Sequence, residues 1–198
     1  RHTLTKNLVV METEVTRQMW KNLRALQSSL PADPTVQDFG AGMSHPVQNI
    51  SWYEAVLFAN LLSVQQGLTR VYYLDGTFTV PLNYGNYRTG EIHADWNANG
   101  YRLPTEGEWE YFARAGTITP FSVNEPGYYH WTQGSCNAEV LPVLESAAWY
   151  CANAGNATHP VGSKAANSWG LKDVHGNVQE FCWDWYSYYT GETWTDYR

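Results

Sequence analysis

Two phrases built on one pattern, SWYE at 51–54 and TEGE at 105–108, constrain this chain more than anything else in it. In each, a hydroxyl residue stands three positions before a glutamate at the head of an apolar-periodic run. That is the signature of a capping box, in which hydroxyl and carboxylate each satisfy a backbone N–H that has no partner inside the helix. The first helix carries Ala55, Phe58, Ala59, Leu62 and Val64 as its buried stripe and closes at Gly67. The second turns Trp109, Phe112 and Ala113 inward and closes at Gly116. Glu106, Glu108 and Glu110 stand in its first turns, where the helix macrodipole accounts for them without any catalytic role. A third helix is expected from Thr16, with Met19, Trp20, Leu23 and Leu26 on one face and a stop before Pro31.

Little else reads as regular structure. Leu8 to Val15 alternates apolar and polar and predicts a strand near the N-terminus. Residues 30–45 hold two prolines and two glycines and read as a loop. VYYLDGTFTV at 71–80 predicts a hairpin about Asp75-Gly76. From Thr117 to Ser168 no helix is expected, only brief strands at Gly127–Thr132 and Ala147–Cys151. Stretches this long without regular structure persist in compact domains when function, bridges, metals or aromatic packing pin them. The chain has the aromatics for it, with ten Trp, fourteen Tyr and six Phe. With no repeat of 20–50 residues, the economical expectation is one irregular α+β domain over residues 1–198.

The net charge of −7 and the absence of a Lys/Arg cluster remove the electrostatic footprint of a nucleic-acid or anionic-membrane partner. No apolar run nears the roughly 20 residues that span a bilayer. No GxSxG elbow, phosphate loop or dinucleotide fingerprint is present. None of the three cysteines falls in a CxxC pair. A bridge between Cys136 and Cys151 would contribute about 3 kcal/mol in the chain-entropy model. Free buried thiols are the alternative, and Cys182 would be left over in either case. His130 and His159 lie near those two cysteines, at spacings too irregular for a soft-metal cluster. Asn49-Ile50-Ser51 and Asn156-Ala157-Thr158 match glycosylation acceptors, a triplet that also arises by chance.

The candidate site lies in NSWGLKDVHGNVQEFCWDWY, residues 167–186. Asp173 and Glu180 stand seven apart about Gly176, so a tight turn can bring both carboxylates and the carbonyls between them to one cation. That oxygen set suits Ca²⁺ rather than a soft metal. The bland alternative is that Asp173 caps a turn and Glu180 lies on the surface. His175 reads as a solvated or hydrogen-bonded side chain rather than a ligand or base.

METEVTRQMWKNL, HPVQNISWYEAVLFANLLS, GYRLPTEGEWEYFARAG and THPVGSKAANSWGLKDVHGNVQEFCWDWY, in that order, resemble the formylglycine-generating enzyme, or sulfatase-modifying factor, family over essentially the whole chain. YRLPTEGEWEY with WGLKDVHGNVQE is the specific part. The resemblance implies a C-type-lectin-like α+β fold with two or three short helices, a small antiparallel sheet and long loops. It also implies calcium held by the Asp173 and Glu180 side chains and the Gly176 and Val178 carbonyls. Catalytic relatives use a C-terminal cysteine pair, copper and O₂ to oxidise a sulfatase cysteine to formylglycine. Cys136, Cys151 and Cys182 do not fall where that pair belongs, so no catalytic residue is carried over. The family's C-terminal portion is expected beyond Arg198, and its absence would leave an unpaired edge at the N-terminal strand. A further segment of the protein or another chain is then expected to complete the fold. The expectation is a secreted, periplasmic or cell-surface binding module or scaffold with a protein or glycan partner. The alternative is the copper-dependent oxidase, and a related iron enzyme lacks an identifiable histidine triad.

Overall fold

A computed structural model describes residues 2–88, 90–119, 121–122, 142–185 and 194–195. Along them run β1 (His2–Thr3), α1 (Arg17–Leu26), a 3₁₀ turn (Gln37–Phe39), α2 (Trp52–Gln65), β2 (Tyr72–Tyr73), β3 (His93–Ala94), α3 (Glu106–Arg114), α4 (Pro142–Ala147) and β4 (Trp194–Thr195). Contacts gather these into two compact units. One comprises Arg1–Glu14, Gln37–Pro46 and Pro104–Arg198, the other Val15–Val36 and Val47–Leu103.

In the Val15–Leu103 unit both helices begin at the expected caps. The Thr16 hydroxyl accepts the Met19 N–H at 3.1 Å. The Ser51 hydroxyl accepts the Glu54 N–H at 3.3 Å, and Glu54 Oε2 accepts the Ser51 N–H at 2.7 Å. Trp20 and Leu23 of α1 are buried, whereas Met19 and Leu26 stay exposed. Arg17 is buried instead, and its Nε donates to Asp33 Oδ2 at 2.8 Å. The α2 stripe differs from the expected one: Val56 through Leu61 are all buried, whereas Ala55, Leu62 and Val64 are half-buried, because a run that is apolar around most of its circumference can turn several of its sides to the core. Trp20 stacks on Phe58 with centroids 5.1 Å apart, which joins the two helices. Asn60 is fully buried, and both ends of its amide are hydrogen-bonded. Its Oδ1 accepts the N–H groups of Val71 (3.1 Å) and Tyr72 (2.9 Å), and its Nδ2 donates to the Tyr72 carbonyl at 2.7 Å.

The expected 71–80 hairpin forms in part: Tyr73 bridges antiparallel to Pro81, and the Leu82 N–H donates to the Tyr72 carbonyl at 3.2 Å. β2 pairs antiparallel with β3, Tyr72 opposite Ala94 and Tyr73 opposite His93. Residues 75–79 form a wide turn closed by the Leu74 N–H on the Val80 carbonyl at 2.9 Å. Asp75 accepts the N–H groups of Thr79 and Val80 at 3.0 and 2.7 Å, so its side chain organises a longer loop than the two-residue turn its Asp-Gly sequence suggests.

In the other unit α3 starts at its capping box, with Thr105 Oγ1 accepting the Glu108 N–H at 3.2 Å and Glu108 Oε2 accepting the Thr105 N–H at 2.9 Å. It buries Phe112 and Ala113 against Leu171 and Val174, with Val10 and Trp109 packed on that cluster. α4 is a helix where none was expected. Residues 147–151 form no strand, and the expected strand at Gly127–Thr132 lies outside the described residues. β1 pairs parallel with β4 within the chain, His2 opposite Trp194 and Thr3 opposite Thr195. Residues 8–15, expected as a strand, are irregular: alternation marks which side chains turn inward but supplies no partner for the backbone.

Candidate functional site

The stretch from Asn167 to Trp185 takes its shape from side chains that bond backbone rather than from helix or strand. Asn167 Nδ2 donates to the Phe112 carbonyl at 2.9 Å, covering the C-terminal end of α3, and Asn167 Oδ1 accepts the N–H groups of Trp169 and Leu171, each at 3.0 Å. Asp173 then adopts φ 63° and Asn177 φ 67°, left-handed positions that aspartate and asparagine tolerate. Between them the Gly176 N–H closes on the Asp173 carbonyl at 3.2 Å. A Cβ at Gly176 would meet the Trp149 carbonyl oxygen at 2.0 Å, and the Asn177 N–H donates to that same oxygen at 2.8 Å. Only glycine lets the two strands of chain approach so closely.

The two expected acids lie on this turn with different partners. Asp173 is buried, and its Oδ2 accepts the Gly162 N–H at 2.6 Å, while its buried Oδ1 has no hydrogen-bond partner. Glu180 is exposed and accepts the indole N–H of Trp109. The Val178 N–H and the Asn177 side chain both donate to a third carboxylate, Glu14, at 3.1 and 2.7 Å. Glu14 is 7% exposed, and the sequence reading missed it. Its one signal is parity, since it falls on the same side of the alternating run as Leu8 and Val10.

Burial is the first cause that raises each of the three acids, and the Asp173 charge adds to the rise of Glu14 and Glu180. Burial pushes Glu14 up to about 8, the Val178 N–H opposes this, the Asp173 charge adds to it, Asn177 opposes, and Glu180 adds again. Burial also raises Asp173, against the Gly162 N–H and the Lys172 charge. Crowding by protein atoms raises Glu180 against the Trp109 hydrogen bond, with the Asp173 charge adding to the rise. Its surface exposure lets water screen that shift, so the buried pair Glu14 and Asp173 dominates. The orphaned buried Asp173 oxygen offers one hard ligand, and a dication there would need backbone carbonyls and other oxygens to complete its shell. Among the described residues, no three His, Cys, Asp or Glu side chains are gathered into a ligand cluster.

The histidines have structural partners. The Nε2 of His175 accepts the Ser122 N–H at 3.0 Å, burial lowers its pKa, and its ring lies edge-on to Phe121. His159 stacks on Trp149 at 3.7 Å between centroids, and the Lys164 ammonium sits 3.8 Å from the Trp149 centroid. His130 and Cys136 lie outside the described residues, and with them the Cys136 to Cys151 bridge; Cys151 is exposed. Burial, then the charges of Asp184, Glu106 and Glu180, push the Cys182 thiol up to about 12.

This architecture recurs in known proteins. The structure of Treponema denticola variable protein 1 superposes with a TM-score of 0.69 at 30% identity, over 92% of this chain and 64% of that one. That places the chain in the α+β, loop-rich fold class of the formylglycine-generating enzymes. A family model described as the sulfatase-modifying factor enzyme 1-like domain matches residues 2–197, and the chain belongs to this family. Chaperone protein LppX of Paenibacillus barcinonensis is 35% identical over 154 residues, 74% of this chain and 54% of its own length. A formylglycine-generating enzyme of Thermomonospora curvata is 33% identical over 112 residues, 48% of this chain and 33% of its own. The chain thus spans about half the length of the first relative and a third of the second.

Proposed function

We propose that this sulfatase-modifying-factor domain is an extracytoplasmic, non-catalytic recognition module or scaffold for a protein or glycan partner. The observation that carries the reading is its 35% identity with a relative named a chaperone protein, which favours a protein partner. The chemistry of the described residues supports it. Glu14 and Asp173 bond neighbouring backbone, Glu180 bonds Trp109, and a Cys182 thiol held near 12 supplies negligible thiolate for copper or for attack at neutral pH. Calcium belongs to this reading as a structural ion, held by Asp173 and Glu180 with the Gly176 and Val178 carbonyls.

The copper-dependent formylglycine-generating oxidase is the second reading, favoured by 33% identity with the Thermomonospora enzyme. Supplying the purified protein with Cu(I), O₂ and a cysteine peptide of sulfatase type separates the two. The recognition reading expects no peptide aldehyde by mass spectrometry; its catalytic appearance establishes the oxidase.

A further inference from the structure

Asn99-Gly100, in the loop after β3, is the one Asn-Gly dipeptide in the chain. Asn99 is exposed, and its Oδ1 accepts the Thr69 N–H at 2.9 Å, which polarises the side-chain amide carbon toward attack. Its Nδ2 has no partner among the described residues, so no hydrogen bond holds the group that would leave. The Gly100 N–H is also unbonded among the described residues, and with no Cβ beside it that nitrogen is unshielded.

The same dipeptide closes a tight seam. A Cβ at Gly100 would lie 2.1 Å from the Thr69 carbonyl oxygen and 2.6 Å from Ser63 Oγ. The next N–H, that of Tyr101, donates to Ser63 Oγ at 2.8 Å, and this buried hydroxyl donates in turn to the Ala59 carbonyl inside α2 at 2.7 Å. The loop is wedged against α2 and Thr69 with no room for another main-chain atom.

We propose that Asn99 is a site of spontaneous deamidation, and that its isoaspartate product unlatches residues 99–101 from α2. The Gly100 nitrogen bonds to Asn99 Cγ and gives up its proton to water; the Cγ–Nδ2 bond breaks, and ammonia leaves with a proton from water, closing a succinimide. Water then opens the ring. Cleavage of the Cγ–N bond gives aspartate, and cleavage between the Asn99 main-chain carbonyl carbon and the Gly100 nitrogen gives isoaspartate. One water is consumed and one ammonia released, with no change of oxidation state. Aspartate leaves the main chain as it was and keeps a carboxylate oxygen for the Thr69 N–H. Isoaspartate routes the main chain through Cβ and Cγ, adding an atom where Gly100 already abuts Thr69, so the hydrogen bonds of Thr69 and Tyr101 at this seam break. Asp75-Gly76, the one Asp-Gly pair, is protected from the same attack. Hydrogen bonds from the Thr77 hydroxyl and the Val80 N–H hold its carboxyl well below the ordinary range, and an ionised carboxylate is a poor electrophile.

The test is storage of the purified protein for several weeks at neutral pH and physiological temperature, followed by tryptic mapping. The tryptic fragment 89–102 carries Asn97 beside Asn99, so Asn97-Ala98 is an internal reference. Asn99 is expected to deamidate at least about tenfold faster than Asn97, whose neighbour Ala98 shields its nitrogen with a Cβ. Fragmentation and labelling by isoaspartyl methyltransferase identify the isoaspartate. The deamidated fraction, separated by ion exchange, is expected to melt a few degrees below fresh protein and to exchange its Thr69 and Tyr101 amide hydrogens faster. Asn99→Asp carries the same added charge on an unaltered main chain and is expected to melt with the parent. Asn99→Gln closes the ring poorly and is expected to hold its melting temperature through storage. Equal conversion of Asn97 and Asn99 overturns the site. An isoaspartate fraction that melts and exchanges like fresh protein overturns the unlatching, and so does a loss in stored Asn99→Gln as large as in the stored parent.

Discussion

Gly176 stands where an added methyl would lie 2.0 Å from the Trp149 carbonyl oxygen, and that oxygen cannot retreat because the Asn177 N–H holds it. Gly176→Ala is expected to destabilise the protein by about 1–3 kcal/mol in urea unfolding, the usual cost of overpacking. Asp33 tests a different force. Burial alone would raise its pKa, but hydrogen bonds from Thr35 and the Arg17 guanidinium outweigh it and hold the carboxyl below its ordinary 3.8. A depressed carboxyl contributes stability above the unfolded value that is lost as pH falls through the folded one. Asp33→Asn leaves the Arg17 guanidinium buried without its counter-charge and is expected to cost about 3–5 kcal/mol at pH 7. The gap to the parent protein should narrow as unfolding is measured at pH 4, 3 and 2; a gap constant across that range refutes the ionic account. At this scale the sequence was partly legible. Asp173, Gly176 and Glu180 could be singled out from spacing, whereas Glu14 could not, since the Asn177 and Val178 donors that hold it lie 163 and 164 residues away.

Helix starts are local chemistry, and all three sequence-derived caps are present: Thr16, Ser51 and Thr105 each accept an N–H three residues on. Ser51→Ala and Thr105→Ala should each cost about 1 kcal/mol in urea unfolding. A loss below a few tenths would mean that the neighbouring backbone satisfies the N–H without the hydroxyl. Elements whose signal is not local were misread. α4 carries no hydroxyl cap, and Pro142 at its first helical position and Glu145 in its first turn are weak start signals. β2 keeps an antiparallel bridge to the segment next to it in sequence, Tyr73 to Pro81, and adds β3 as a second partner from farther along the chain, while the Asp75 side chain draws residues 79 and 80 into a loop.

Across the molecule, chelation asks whether the turn at 173–180 is held by an ion. If calcium bridges Asp173 and Glu180, EGTA should lower the melting temperature of the parent protein, and Asp173→Ala should melt at one temperature with or without EGTA. A parent protein indifferent to EGTA removes the calcium site and leaves the Asp173 to Gly162 hydrogen bond as the whole role of that acid.

By itself the sequence determined the caps, the helices that follow from them and the turn about Gly176, because each depends on residues within a few positions of one another, and it determined the family because several such local motifs stand in order along the chain. Only the tertiary structure decided which carboxylates are buried and which carbonyl Gly176 must clear. Those outcomes depend on segments far apart in the chain, and neither periodicity nor propensity carries their distance.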